Sequence, residues 1–352
     1  MRKIIFLLFV LINSALGQIS KVNKVLDSCI TKSNFNGSVL IAKNGKIEYL
    51  RYAGLANRQN EVKYSAKSKF HIFSVTKTFT AVLIMQLYEQ KKIHLDSTIS
   101  AYFPEYKGEA GKKATILDLL TYSSGRDTKE MKLIAEVYDT TIWPVDSLID
   151  RFCSEKLIYK PGTRFNYSNG DYFILGKIIE KMYGKPYEEV LKEKILKPLK
   201  MNHTGYLHHD DIIKGLDDGY YNRDSSVTDL YMPTNYYVDN LYAAGAMYST
   251  PEDLLIFDQA IFKHTFLKKA TVDLMLKSYD ELGSVALGFW VYPKKFGKVN
   301  TVFAERQGAG YGHNANWIHL VDRGLTFILL SNTNTVNLNK MREKVIAAYL
   351  GQ

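Results

Sequence analysis

Hydrophobic and polar positions change their rhythm twice along this chain. Near the start, Gly37–Ala42 and Lys46–Ala53 are apolar or alternating runs joined by Asn44-Gly45. Such runs predict strands, and Asn-Gly predicts the tight turn of a hairpin. From Val75 to Gln90 the apolar residues, among them Phe79, Val82, Leu83 and Leu87, recur at the three- and four-residue spacing of a helix. The stretch from about 95 to 280 continues in a mainly helical manner with long connections. Within it Thr115–Leu120 is a short helix stopping at Ser123-Ser124-Gly125, and Asp171–Met182 is a longer one stopping near Gly184 and Pro186. Thr250-Pro251-Glu252-Asp253 has the make-up of a helix start: a capping hydroxyl, a proline, then acids. Strand-like runs return at Val285–Val291, Thr301–Glu305, Asn316–Val321 and Leu325–Leu330, and Asn337–Tyr349 is a final amphipathic helix.

Strands at both ends with helices between them predict an α+β fold. One antiparallel sheet forms from the N- and C-terminal strands and is flanked by helices, and a mainly helical region is inserted. The sheet part is expected over about 25–72 and 283–352, the helical part over about 73–282, with a site at their seam. Gly205–Tyr242, rich in tyrosine and turn residues, is open between a wall or lid over that site and an ordinary loop.

Composition narrows the class. With 46% hydrophobic and 23% charged residues the chain has the material for a packed core. Its first 17 residues differ from the rest. Arg2 and Lys3 are followed by an apolar run from Ile4 to Ile12 and by Ala15-Leu16-Gly17, the layout of a signal peptide cut before Gln18. Residues 18–352 would then be a single domain. The apolar run is short for a bilayer, so no stable membrane span is expected after cleavage, and the mature chain is expected to be periplasmic or secreted. Net charge is +10, and 44 basic against 36 acidic residues leave +8 without Arg2 and Lys3. That charge suits anionic envelope polymers. There is no dense basic block or aromatic-basic stripe, so nucleic acid is not expected as a partner. Cys29 and Cys153 could pair in an oxidising compartment, but nothing in the sequence places them within bridging distance. The eight histidines lack metal-ligand spacing, and neither a metal nor a cofactor is expected.

The candidate chemistry begins at Ser74-Val75-Thr76-Lys77. Residues three apart share a helical face, so hydroxyl and amine can meet near the positive end of the helix dipole. That suits a nucleophile beside a proton acceptor. Tyr167-Ser168-Asn169 follows the turn Pro161-Gly162 and precedes a helix. A phenol with its pKa lowered by cations can take a proton from the serine and return it to a leaving group, and the amide of Asn169 can orient substrate or lysine. Tyr220-Tyr221-Asn222 repeats the Y-x-N letters in the tyrosine-rich loop, without that turn-to-helix frame. Arg306-Gln307-Gly308 supplies a cation at a strand end, expected to bind an acidic substrate end because arginine grips carboxylates and does not shuttle protons. Gly308 allows close backbone approach, and the N–H of Ala309 together with that of Ser74 would make an oxyanion hole. His203-Thr204-Gly205 matches the third element by letters but is not on a strand, and Gly312-His313 is an alternative that lacks the following glycine.

In their order and spacing these elements resemble the serine β-lactamase-related family, which includes class C β-lactamases, D,D-peptidases and kindred esterases. S-x-x-K is Ser74 to Lys77, Y-x-N is Tyr167 to Asn169, and the cation-x-Gly strand is Arg306 to Gly308. Phe35–Leu40, Leu119–Gly125, Pro161–Thr163, Ser249–Leu254, Leu287–Trp290 and Gly324–Asn332 resemble the family too, so that the likeness runs from about 25 to 350. Arg306 departs from it, since the family usually has His or Lys there. The resemblance implies a β-lactamase/transpeptidase-like fold and an exported serine hydrolase. Ser74 would be the nucleophile, Lys77 and Tyr167 would manage its proton, and Asn169, Arg306, Gly308 and Ala309 would bind substrate. The substrate is then a small-molecule or peptide acyl compound, with D-amino-acid peptides of the cell wall, β-lactams and simple esters as candidates and a peptidase or esterase preferred to a dedicated β-lactamase. A catalytically quiet envelope-binding or sensor protein on the same scaffold is the alternative.

Overall fold

The strands from the two ends of the chain share one sheet. The computed structural model describes residues 2–128, 130–133, 136–137, 140–224, 226–233 and 236–352, and in the first helix it describes side chains from Gly17 onward. The side chains of residues 2–16, on which the signal-peptide reading rests, lie outside those described, as do residues 225, 234 and 235 of the tyrosine-rich segment. The main sheet holds β1 (Gly37–Lys43), β2 (Lys46–Ala53), β3 (Trp290–Phe296), β4 (Val299–Gly310), β5 (His313–Leu320) and β6 (Leu325–Ser331). They lie side by side as β3-β4-β5-β6-β1-β2, all antiparallel. The centre is the pairing of β6 with β1, from Gly37 opposite Ser331 to Lys43 opposite Leu325.

Each face of the sheet carries its own core. On one side Val39, Ile41, Phe303, Ile318, Phe327 and Leu329 pack beneath two helices, α1 (Arg2–Ser33) and the last helix (Leu338–Tyr349). On the other side Leu40, Ala304, Ala315, Trp317, Ile328 and Leu330 meet the helical region. Side chains of a strand alternate between faces, and β6 is buried along its whole length because both of its faces are covered. Helix α1 continues to Ser33, beyond the expected cleavage point. Ile19, Val22, Leu26 and Ile30 repeat at helical spacing, and Val22 and Leu26 are fully buried in the outer core. Among the described residues no helix is long and apolar enough to cross a membrane.

The inserted region is built around α2 (Thr76–Glu89), α3 (Asn169–Tyr183) and α4 (Pro251–Phe262). Buried Phe79 of α2 stacks on Phe257 of α4 at 3.9 Å, and Thr250 caps α4 by accepting from the N–H of Asp253. Two strand expectations are corrected. The run from Val285 does not continue as one strand to Val291, because Gly288 takes a left-handed turn (φ 87°) and its carbonyl accepts from Thr78 Oγ1 at 2.7 Å, so β3 starts only at Trp290. The expected strand Thr301–Glu305 extends to Gly310, which moves Arg306 from a strand end into the strand. Cys29, half-buried in α1, and Cys153, buried beyond the helix Val145–Phe152, are not joined in a disulfide.

Candidate active site

Ser74 lies in a 3₁₀ turn, Phe73–Val75, that runs directly into α2. The turn is strained at Phe73, a buried aromatic with φ 44°, whose ring is held against His71 at 3.7 Å. Lys77, in the first turn of α2, is completely buried. Its Nζ donates to Ser74 Oγ at 2.9 Å, to Asn169 Oδ1 at 2.6 Å and to the Ala244 carbonyl at 2.8 Å. An ammonium has three protons, and these acceptors match them one for one, which offsets the cost of removing the charge from water. Tyr167 Oη lies 2.8 Å from Ser74 Oγ on the other side.

The segment bearing Tyr167 is fixed from below. Ser168 caps α3 by accepting from the N–H of Asp171, placing Asn169 at the first helical position. The buried Asp171 carboxylate accepts from Ser124 Oγ at 2.8 Å and from Arg126 Nη1 at 2.7 Å, and Asn166 N–H donates to the Tyr122 carbonyl at 2.7 Å. Ser124, expected as a helix stop, therefore helps hold the tyrosine loop.

Arg306 is brought beside Ser74, but not in the way its sequence suggests. It is fully buried. Its Nε donates to the Ser74 carbonyl at 2.7 Å, its Nη1 to Tyr122 Oη at 2.9 Å and its Nη2 to Tyr167 Oη at 3.4 Å, while its guanidinium lies 5.0 Å from the centre of the Trp290 ring. The expectation that Arg306 grips an acidic substrate end is thus corrected: the side chain faces the helical region, has no exposed surface and is committed to the turn and two phenols. Burial by itself would raise the Tyr167 pKa, but the Lys77 and Arg306 cations outweigh it and hold the phenol below its ordinary value.

Gly308 and Ala309 follow on the same strand. Since β3 begins opposite Glu305, the stretch Arg306–Gly310 pairs with β5 alone and presents its other edge to Ser74. A Cβ on Gly308 would lie 2.1 Å from the Ile72 carbonyl oxygen and 2.9 Å from the Ser74 nitrogen, so only glycine permits this approach. Ser74, Tyr167, Gly308 and Ala309 line one cavity of about 670 Å³, with Trp290 at its side and Glu305 and Gln307 along β4.

The sequence look-alikes go elsewhere. His203 N–H donates to Asp253, and Asn222 pairs with Leu230 in a short hairpin. His313 turns its Nε2 to Asp217 Oδ1 at 2.9 Å. Three contributors were not singled out from sequence. Tyr122 (φ 55°) stacks on Tyr167 at 4.8 Å, Trp290 covers Arg306, and Ala244 offers a backbone carbonyl. Tyr122 and Trp290 lie in segments that carried the family likeness, whereas a carbonyl leaves no trace in a sequence. Among the described residues no cluster of three or more His, Cys, Asp or Glu could hold a metal ion.

The sheet with its helical insertion defines a protein of the β-lactamase/transpeptidase-like fold. The Beta-lactamase family matches residues 25–350, and the chain belongs to that family. The teichoic acid D-alanine hydrolase of Staphylococcus aureus is 30% identical over 235 residues, 66% of this chain and 55% of that protein. The D-amino acid amidase of Ochrobactrum anthropi SV3 superposes with a TM-score of 0.82 at 22% identity, covering 95% of this chain and 99% of that one. The octameric penicillin-binding protein homologue of Pyrococcus abyssi does so with 0.81 at 24% identity, covering 95% and 78%. The chain spans 66% and 55% of the length of the first two curated relatives it matches.

Proposed function

We propose that this chain is an exported serine hydrolase that works through an acyl-enzyme on amide or ester substrates, with D-amino acyl compounds as the substrate class. The observation that carries the reading is the position of Ser74 Oγ, 2.9 Å from Lys77 Nζ and 2.8 Å from Tyr167 Oη. Lys77 Nζ donates to Ser74 Oγ, and with Arg306 it holds the Tyr167 phenol below its ordinary pKa against the effect of burial. Lys77 and Tyr167 handle the Ser74 proton together. The pair takes the Ser74 proton as Oγ bonds to the substrate carbonyl carbon, with the oxyanion received by the N–H groups of Ser74 and Ala309. The carbon–leaving-group bond then breaks as Tyr167 returns the proton to the departing nitrogen or oxygen. Water, deprotonated by the same pair, releases the acid and restores Ser74. Asn169 orients Lys77. The D-configured acyl group is supported by the names of the hydrolase from Staphylococcus aureus and the amidase from Ochrobactrum anthropi.

The test is a side-by-side assay of a chromogenic β-lactam, a short acyl ester, a D-alanyl-D-alanine peptide and a D-alanine amide, with intact-mass detection of the acylated protein. Turnover of at least one substrate and an acyl adduct on Ser74 are expected. Full activity in Ser74→Ala, or an adduct on another residue, overturns the proposal. For export, mass measurement of the secreted chain is expected to give an N-terminus at Gln18.

A further inference from the structure

We infer that the substrate arm lying along β4 is uncharged and rich in hydroxyl or amide groups, so that the enzyme selects against leaving groups that end in a free carboxylate. This inference rests on the acyl-transfer reading of Ser74. The cavity that holds Ser74 and Tyr167 runs over β4 and β5 to the start of the last helix, and six carboxamides, Gln307, Asn314, Asn316, Asn334, Asn337 and Asn339, line it beside the apolar Trp290, Val336 and Leu338. Among the described residues that line it the one charged side chain is Glu305, and that charge is already balanced. Buried Arg342 donates to the Glu305 carboxylate, which also accepts from Tyr292 Oη at 2.6 Å and from Gln307 Nε2 at 3.1 Å. Arg342 further donates to Asn316 Oδ1 at 2.7 Å.

The three buried cations beside β4 are thus spent on the protein itself. Arg306 is sealed beneath Tyr167, Lys77 is buried under Ser74, and Arg342 is neutralised by Glu305. A carboxylate entering along β4 would lose water and gain no charge-assisted partner. Carboxamides offer a donor at one end and an acceptor at the other, which matches hydroxyls and amides of either polarity. Several are pre-set with one end occupied: Asn337 Oδ1 accepts from the Lys340 N–H, Asn334 Oδ1 from the Asn222 N–H, and Asn314 Nδ2 donates to the Thr333 carbonyl. Because Tyr167, the group that protonates the leaving atom, lines the same cavity, this arm is the leaving group. A D-alanyl ester of a polyol is the class of compound that fits.

The experiment compares two D-alanyl esters that differ in one group, glycolamide and glycolate, with D-alanyl glycerol as a third substrate. Each kcat/KM is divided by the rate of that ester's own alkaline hydrolysis. The glycolamide and glycerol esters are expected to exceed the glycolate ester by at least about tenfold, the scale of one missing charge-assisted hydrogen bond. Gln307→Lys, which adds a cation to the wall, is expected to raise the glycolate rate and narrow the ratio. Equal or faster hydrolysis of the glycolate ester by the wild type, or a ratio unmoved by Gln307→Lys, overturns the inference while leaving Ser74 catalysis standing. No hydrolysis of any ester together with no acyl adduct on Ser74 overturns the proposed function, and this inference with it.

Discussion

A permanent cation with no solvent around it has to act through its neighbours. Arg306 does so by holding the Ser74 carbonyl and two phenols, and its charge helps keep Tyr167 below the usual phenol pKa. A cation stabilises phenolate, so removing it raises the Tyr167 pKa. In Arg306→Gln the rising limb of the pH–kcat/KM profile is therefore expected to move to higher pH, with Arg306→Lys closer to wild type, and coincident profiles for wild type and Arg306→Gln would refute this role. Gly308 gives a steric prediction at the same scale. In Gly308→Ala the new methyl presses on the backbone of the Ser74 turn, and kcat is expected to fall by about 10- to 100-fold through displacement of the oxyanion donors. A wild-type kcat in this variant would show that β4 can move away without consequence. The letters Arg306 and Gly308 were legible in the sequence, but the direction of the arginine was not. Residues 305, 307 and 309 alternate with 306, 308 and 310, and only the pairing of β4 decides which set faces the helical region.

Between elements, His71 joins the short strand Phe70–His71 to the segment that supplies the Ala244 carbonyl to Lys77. Its Nδ1 accepts from Tyr236 Oη at 2.9 Å and its Nε2 donates to the Gly245 carbonyl at 3.0 Å. Burial, reinforced by nearby His313 and only partly opposed by the Gly245 carbonyl, lowers its pKa from 6.5 to about 3. The unfolded chain takes up a proton at this position below about pH 6.5, and the folded chain does not until about pH 3. Stability from this group is therefore constant above pH 6.5 and falls towards pH 3, by about 1.4 kcal/mol per pH unit. Denaturant midpoints of wild type and His71→Gln, compared at pH 7 and pH 5, are expected to show a shallower acid loss in the variant. Parallel losses would rule out His71 as the group responsible. Helix spacing made α2 legible, and the Thr250-Pro251-Glu252-Asp253 cap made the start of α4 legible. The 3₁₀ turn at Phe73 was not, since a positive φ at a phenylalanine is held by the packing of its ring and not by local preference.

Over the whole molecule, the sheet separates the helical region that carries Ser74 and Lys77 from a second core. Leu26 of α1 is fully buried in that outer core with Val345 and Ile346 of the last helix. Leu26→Ala is expected to cost about 2–5 kcal/mol in equilibrium unfolding. Because Ser74, Lys77 and Tyr167 pack against the helical region and Leu26 does not line their cavity, kcat is expected to stay near wild type at temperatures where the protein is folded. A normal melting temperature would show that α1 is loosely held. The helical stripe in residues 19–30 was present in the sequence but lay next to a stronger signal, the apolar run of the expected signal peptide.

The sequence by itself determined what repetition and chemistry can encode: the hairpin at Asn44-Gly45, the helices and strands with clear periodicity, and a serine and a lysine one helical turn apart. It also carried the order of motifs that marks the Beta-lactamase family. Tertiary structure alone decided how the charges are used. Lys77 is satisfied by an amide from α3 and a carbonyl from a third segment, Arg306 is closed in by Tyr122 and Trp290, and Glu305 finds Arg342 on the last helix. A charge acts according to what lies within a few ångströms of it and how much water remains there, and both are set by residues that the chain brings together from far apart.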